Sequence, residues 1–338
     1  MGQVSGRPHP AVAAIRYAVR TALADLTGSP DGPGGAPLVL AAVSGGADSL
    51  ALAEAHAFEA RRTGRPAGAV VVDHGLQEGS AAIAEQAART ARGLGLDPVE
   101  VVPVAVADGD KGLEAAARAA RYDALAECAG RLGAAAVLLG HTQDDQAEQV
   151  LLGLTRGSGT RSLSGMPPCR GIFLRPLLAI SREQTREACA AEGVAFWDDP
   201  MNEDLRFARV RARRALADLE RDLGPGITAA LVRSAAQLRA DADLLDTLAV
   251  EARRTLPRAA PYPVESLAAI PAPLRGRVWR SLLIDAGAPA GALGATHTES
   301  CDRLLTQWRG QGPLHLPGDL RVSRERGEIH ITAARPVE

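Results

Sequence analysis

Lysine is almost missing from this sequence: Lys111 stands alone among 38 basic residues in a chain of 338. A phosphate loop ending in Gly-Lys-Ser or Gly-Lys-Thr is therefore excluded, and only Lys111 is left to form a Schiff base or carry an adenylate. Cysteine is scarce and scattered. Cys128, Cys169, Cys189 and Cys301 form no Cys-x-x-Cys pair, so neither a disulfide framework nor a zinc or iron–sulfur site is signalled, and ordinary buried or half-buried thiols are expected. No run of about 20 apolar residues occurs, which predicts no membrane span. Arg16, Tyr17 and Arg20 interrupt the N-terminal apolar stretch, so no secretory signal is expected and the protein is predicted to be cytoplasmic. The net charge of −2 excludes no partner, because local clustering makes a phosphate-binding surface.

What is present begins with periodicity. Val12, Ile15, Val19, Leu23 and Leu26 recur at helical spacing, and "TGSPDGPGGAP" breaks the pattern. Apolar runs then alternate with helices: "LVLAAV" and a helix from about Asp48, "GAVVVDH" and a helix from about Ser80, "PVEVVPVAV" and a helix from about Gly112 to Leu132, "AAAVLLGH" and a helix from about Asp144. Strands without polar alternation need cover on both faces. The fold class is therefore α/β, a doubly wound parallel sheet, followed by a smaller and mainly helical C-terminal domain. A short segment "IFLRPLLAI" precedes a helix opened by Ser181, with Glu183 and Gln184 nearby, and an arginine-rich helix ends at Gly224-Pro225-Gly226. Residues from about 226 to 310 read as helical, and "GPLHLPGDLRVSRERGEIHIT" closes with alternating strands. The domain boundary is placed between 215 and 216. There is no internal repeat.

In an open α/β sheet the ligand crevice lies outside the carboxyl ends of the strands, where "SGGADS", residues 44–49, falls. Glycines admit a close phosphate, helix N-terminal amides attract an anion, and two serines add hydroxyls. A bare Ser-Gly-Gly would favour a plain capped turn; with Asp48-Ser49 after a first strand, phosphate binding is favoured. Glu114, Arg118 and Arg121 project from one helix face, where surface ion pairing has nearly equal weight. Asp144, Asp145 and Glu148 start a helix on the same rim, either to favour its dipole or to bind a cation, Mg2+ or a substrate ammonium. Asp73-His74-Gly75 ends another strand there, and a lone strand-end histidine is more often structural. Arg206, Arg209, Arg211, Arg213 and Arg214 form the densest basic run, either a solvated helix or phosphate contacts; Arg206, Arg209 and Arg213 are expected on one face. Phe196 and Trp197 are expected to pack.

"SGGADS" resembles the Ser-Gly-Gly-x-Asp-Ser signature of the PP-loop, or N-type, ATP pyrophosphatases. "VVDHGLQ", "GLEAAARAARYDAL", "LGHTQDDQAEQVLLGLTRGSGTRSLSGM", and "RPLLAISREQ" with "FWDDPMNEDLRFARVRAR" resemble segments of the tRNA(Ile)-lysidine synthetases, in the same order, across roughly residues 38–214. The chain departs from the family pattern at Gln77, where arginine is usual, at Gln149 and at Ala47; its length resembles the short form of the family.

The resemblance implies that ATP adenylates the C2 oxygen of the wobble cytidine of tRNA(Ile) with anticodon CAU, releasing pyrophosphate, and that the amine of free L-lysine then displaces AMP. It implies catalytic roles for Asp48, Asp144, Asp145, Glu148 and Arg118. It implies nucleotide contacts from Ser44, Gly45, Gly46, Ala47, Asp48, Ser49, Asp73, His74 and His141, and substrate contacts from Glu114, Arg121, Arg206, Arg209, Arg211 and Arg213. ATP and Mg2+ are the implied cofactors, with Asp48 at the metal. Residues 1–215 are expected to carry the chemistry and 216–338 to bind tRNA. The oligomeric state is left open, a homodimer included. Two rivals stand beside this expectation: another PP-loop tRNA-modifying enzyme such as a thiolase, against which the missing Cys-x-x-Cys speaks for the cysteine-cluster versions, and a nucleotide-binding regulator without catalysis.

Overall fold

A computed structural model describes residues 7–24, 26, 36–75, 79–104, 113–157 and 159–333, with the side chains of 113–115, 200 and 202 left aside. Lys111, Gln77 and the side chain of Glu114 lie outside this description. The chain runs α1 (Pro10–Ala24), β1 (Val39–Val43), α2 (Ala47–Thr63), β2 (Ala67–Asp73), α3 (Ser80–Gly93), β3 (Val99–Pro103), α4 (Leu113–Leu132), β4 (Ala136–Leu138), α5 (Gln143–Thr155), α6 (Thr160–Leu163), β5 (Cys169–Arg170), β6 (Phe173–Leu174) and α7 (Arg182–Ala191). A single 3-10 turn (Pro200–Glu203) follows, then α8 (Ala208–Leu223), α9 (Ile227–Arg254), β7 (Tyr262–Pro263), α10 (Val264–Ala268), α11 (Ala272–Asp285), α12 (Ala295–Thr306), β8 (Leu314–Leu316), β9 (Leu320–Glu325) and β10 (Glu328–Ala333). The chain divides into two compact units, Met1–Leu152 with Gly165–Arg233, and Gly153–Ser164 with Ser234–Glu338.

In the first unit, β1 shows why its sequence lacks polar alternation. Val39, Ala41 and Val43 join the core on one face of the sheet, and Leu40 and Ala42 join the core on the other. A strand's side chains alternate between faces, so with both faces covered every position must be apolar. The sheet order is β3-β2-β1-β4-β6-β5, parallel except for the edge strand β5, which pairs antiparallel with β6. The "IFLRPLLAI" run yields only two paired residues, because Pro176 has no amide to extend the ladder. Strands on the two sides of β1 are reached by helices on opposite faces: α2 packs in the core of Val39 and Val43, whereas Leu125, Cys128 and Ala129 of α4 pack in the core of Leu40 and Val137. That reversal makes the carboxyl ends of β1 and β4 a switch point, where such sheets open a crevice.

Helix α1 buries Ala11, Val12, Ile15, Val19 and Leu23 against α2 and α7; Leu26, expected on the same face, lies past the helix end. Ser181 caps α7 through a capping box with Gln184, so the acceptor for the Ser181 amide is Gln184 and not its neighbour Glu183. In the second unit, helices α10–α12 and the sheet β7-β10-β9-β8 enclose a core around Trp279, which is fully buried. Strand β9 buries Leu320 and Val322 and exposes Arg321, the pattern of an antiparallel sheet wet on one face. Cys128, Cys189 and Cys301 are buried free thiols and Cys169 is exposed. Among the described residues no helix is long and apolar enough to cross a membrane.

One buried group is expected to make this fold acid-sensitive. His56 of α2 is wholly enclosed, its Nε2 3.0 Å from the Val39 carbonyl oxygen, and burial pushes its pKa down to about 4. The unfolded chain, with histidine near 6.5, takes up the proton first. The contribution is therefore whole above about pH 6.5 and is lost as pH falls toward the folded value, by on the order of 3 kcal/mol. Urea unfolding between pH 7.5 and 4 is expected to show this slope, and His56→Gln to flatten it; an equal slope in both proteins would place the acid sensitivity elsewhere.

Candidate active site

The loop between β1 and α2 is built around Gly45, whose φ of +88° is open to glycine at little cost. Its carbonyl accepts the Trp197 amide at 2.9 Å, which ties the 196–203 segment to the loop. The Ser49 hydroxyl is buried inside the turn: it donates to the Gly46 carbonyl at 2.9 Å and accepts the Ser44 amide at 3.1 Å. Ser49 therefore shapes the loop, while Ser44 stays exposed. Gly46 is the N-cap of α2 and offers no side-chain cap, leaving the first amides of a 17-residue helix to an outside anion. Gly140, just past β4, lets the second rim close on the first, since a methyl group there would lie 3.1 Å from the Asp48 carbonyl oxygen.

A cavity of about 680 Å³ opens over this loop. Its walls bring together Asp48, Arg118, Arg121, His141, Asp145, Glu148, Arg209 and Arg213, spread over 166 residues of sequence, together with Arg182, Arg186, Trp197, Asp199 and Glu203. An adjoining pocket of about 350 Å³ has an apolar wall of Val43, Val70–Val72, Ile83, Ala84 and Met201 and a polar one that includes Ser44, Asp73, His74, Arg121 and Asp199, with Trp197 beside them. The Asp73 carboxylate accepts the Gly75 amide at 3.0 Å. Phe196 packs against the core beneath Arg186, as expected, whereas Trp197 lines both cavities.

Arg182 was not singled out by the sequence, and it organises the carboxylates. Its Nη2 is 3.1 Å from Asp145 Oδ1 and 3.5 Å from Glu148 Oε1, and its Nε is 3.6 Å from Asp48 Oδ2. Arg213 adds a second cation, its Nε 2.8 Å from Glu148 Oε1. Asp144 is outside the cavity lining; its Oδ2 accepts the backbone amide of Arg182 at 2.8 Å and so anchors the start of α7. The other oxygen of Asp145 accepts the Thr142 amide at 2.8 Å, a cap for α5. The Asp48 carboxylate accepts from the buried Thr185 hydroxyl across 137 residues of sequence.

Electrostatics follows from this packing. Against the burial that would raise it, Arg182 holds the Asp145 carboxyl below the usual range. Burial and then the charge of Asp145 push the Glu148 carboxyl up, with Arg213 opposing. Burial raises Asp48 despite Thr185 and Arg182. Glu148 Oε2 is buried with no hydrogen-bond partner among the described residues. Burial pushes the His141 imidazole down to about 3, with Asp145 opposing and Arg121, Arg175 and Arg118 adding to the fall, so the ring is neutral near pH 7. His74 is lowered by burial and by Arg121. Arg118 and Arg121 are themselves disfavoured as cations, chiefly by burial. Neither forms an ion pair among the described residues, and a polyanion in the cavity would relieve both.

The arginine run divides differently from its sequence pattern. Helix α8 starts only at Ala208, so Arg206 precedes it and pairs with Asp204 in solvent. Arg211 donates to the Leu205 and Arg206 carbonyls at 2.7 and 2.8 Å, and Arg214 is exposed. Arg209 and Arg213 alone of the five line the cavity. The expectation that Arg206 shares their face is corrected: it lies outside the helix whose period placed it there.

No group of three or more His, Cys, Asp or Glu residues among the described residues is arranged to hold a metal ion. Asp145 and Glu148 are occupied by Arg182 and Arg213. Asp48, a quarter exposed to the cavity, is a single carboxylate beside the uncapped start of α2. Mg2+ commonly takes one or two carboxylates together with substrate phosphates, and that is the donor set Asp48 fits.

Residues 19–220 match the PP-loop domain family, and residues 263–330 match the TilS substrate binding domain. The chain is 50% identical to the tRNA(Ile)-lysidine synthase of Streptomyces coelicolor, over 96% of this chain and 99% of that one. It is 51% identical to that of Salinispora arenicola, over 97% and 98% of the two chains, and 52% identical to that of Thermobifida fusca, over 96% and 99%. Among solved structures, the U34-tRNA thiolase NcsA from Methanococcus maripaludis with its 4Fe-4S cluster is similar with a TM-score of 0.54 at 16% identity, over 68% of this chain and 79% of that one, a likeness of fold.

Proposed function

This chain belongs to the tRNA(Ile)-lysidine synthase family, and on that premise we propose that its cavity joins free lysine to the wobble cytidine of tRNA(Ile) at the cost of ATP cleaved to AMP and pyrophosphate. The observation that carries the reading is the uncapped start of α2 opening, with Asp48, onto one cavity that also holds Arg118, Arg121, Arg209 and Arg213. The apolar wall of Val70–Val72 and Ile83, with polar groups in the same pocket, suits the adenine. The amides of α2 and the arginines suit the triphosphate.

In the first step the cytidine C2 oxygen attacks the α-phosphorus and pyrophosphate leaves; in the second the lysine amine attacks C2 and AMP leaves. Adenylation converts a poor leaving oxygen into a good one. The amine must be deprotonated before attack, and Glu148 supports that role, since its second oxygen lacks a partner and its carboxyl is pushed up. Neutral His141 can accept or donate one hydrogen bond at the nucleotide without adding charge. Mg2+ held at Asp48 would neutralise the departing pyrophosphate. The unit carrying the large sheet supplies the chemistry, and the unit matching the substrate binding domain holds tRNA, in a cytoplasmic enzyme.

A single-turnover assay with ATP, lysine and the CAU-anticodon tRNA tests this. AMP and pyrophosphate are expected, with lysine incorporated one-to-one; ADP and orthophosphate, or nucleotide binding without turnover, would overturn it.

A further inference from the structure

Arg118 reaches the cavity from α4 as an exposed residue and pairs with no carboxylate among the described residues. A long flexible cation without an anchor would sample many rotamers and lose entropy on meeting a phosphate. One turn along the helix, Tyr122 supplies the anchor. The Arg118 guanidinium stands 5.1 Å from the centre of the Tyr122 ring, and its Nη2 donates to the Tyr122 hydroxyl oxygen at 3.3 Å. The ring is itself held edge-on by Phe173 of β6, centroids 4.9 Å apart at 73°.

The same hydroxyl oxygen accepts a second guanidinium from behind, Arg175 Nη2 at 3.1 Å. Arg175 is only 5% exposed and forms no ion pair among the described residues. It is fixed instead by backbone: Nη1 donates to the Pro167 carbonyl at 3.0 Å, and its own amide donates to the Pro168 carbonyl at 2.8 Å. Burying a cation without a counterion is costly, so the arrangement asks for a use. A phenol oxygen has room for two donors, and here both are filled by arginines arriving from different elements. Against the burial that would raise it, the bond from Arg175 and the charge of Arg118 hold the phenol below its ordinary range.

We propose that Tyr122 is a positioning residue: its hydroxyl, locked by buried Arg175, pre-sets the Arg118 guanidinium at the cavity to meet the phosphates of ATP. This rests on the reading of Arg118 as a nucleotide-facing cation. Groups that orient a functional side chain in this way are worth about 10-fold to 100-fold in related settings.

The test is a double-mutant cycle on the full chain, with lysidine formation measured against ATP concentration at saturating tRNA and lysine. Tyr122→Phe removes the hydroxyl and keeps the ring, and kcat/KM for ATP is expected to fall about tenfold. In an Arg118→Ala background the same change is expected to cost less than about twofold, because the group it orients is gone. Arg175→Lys keeps the buried charge but loses the planar fork, and is expected to reproduce the Tyr122→Phe loss. The thermal midpoint of Tyr122→Phe should match the parent. Equal losses from Tyr122→Phe in both backgrounds, or no loss in either, would overturn the proposal. Wild-type kcat/KM in Arg118→Ala would instead remove the reading of Arg118 on which it rests, and the proposal with it.

Discussion

Asp48→Asn is expected to lower turnover by about 10³-fold with the fold intact, a loss typical of removing one charge-stabilising group from a desolvated site. The asparagine carbonyl can still accept from the Thr185 hydroxyl, so the contact that orients position 48 survives. What disappears is the negative charge in the first turn of α2, beside Arg182 and open to the cavity. A carboxylate at the start of a helix can serve only to favour the dipole, and then the change would cost about 0.3–1 kcal/mol of stability and little else. The two roles separate in one pair of measurements: AMP release in a single turnover, and the urea midpoint. Turnover within about threefold of the parent, with a shifted midpoint, would return Asp48 to the dipole role.

Arg182→Ala is expected to do damage of another kind. Its guanidinium neutralises Asp48, Asp145 and Glu148, whose side chains are 25%, 14% and 1% exposed. Removing one partner of a buried ionic cluster leaves uncompensated charge and costs roughly 3–5 kcal/mol. The cluster has a second consequence that depends on pH. Arg182 lowers all three carboxyls, so without it they bind protons at higher pH. Activity that needs an ionised carboxylate is then lost sooner on acidification, and the acid limb of the pH–rate profile is expected to move up by about one unit or more. Arg182→Lys keeps a charge but not the fork that spans two carboxylates, so it should recover much of the stability and less of the rate. If Arg182→Ala leaves both the unfolding midpoint and the acid limb where they are, the carboxylates do not depend on it.

The strands of the large sheet were legible because burial on both faces leaves a simple signature, an apolar run without alternation; β1 and β4 fall within the expected runs, and β2 starts one residue before its own. The helix starts at residues 47, 80 and 143 were legible to within a residue or so, since loops rich in glycine punctuate them. Motif order along the chain carried the family as well. Less legible was the state of each charge. "QDDQAE" reads as three equivalent carboxylates, yet Asp144 caps α7, Asp145 caps α5 and faces Arg182, and Glu148 alone of the three keeps a buried oxygen without a partner among the described residues. Helical period placed Arg206 with Arg209 and Arg213, but the period says nothing about where a helix begins, and Phe207 is the N-cap.

By itself, then, the sequence determined the alternation of strands and helices, the glycine turn and helix start at the end of the first strand, and the family to which the chain belongs. Those features are local, set by side-chain period, by glycine's tolerance of positive φ and by the free amides of a helix start. The tertiary structure decided which charges meet. Arg182 sits in an ordinary-looking capping sequence, and nothing near it in the chain announces that it will face Asp48 and Glu148; Thr185 reaches Asp48 across 137 residues. Pairings of that sort arise only when the sheet order carries α2, α5 and α7 to one rim, because the free energy of a charge depends on its neighbours in space and on the solvent excluded around it, and neither quantity is written along the chain.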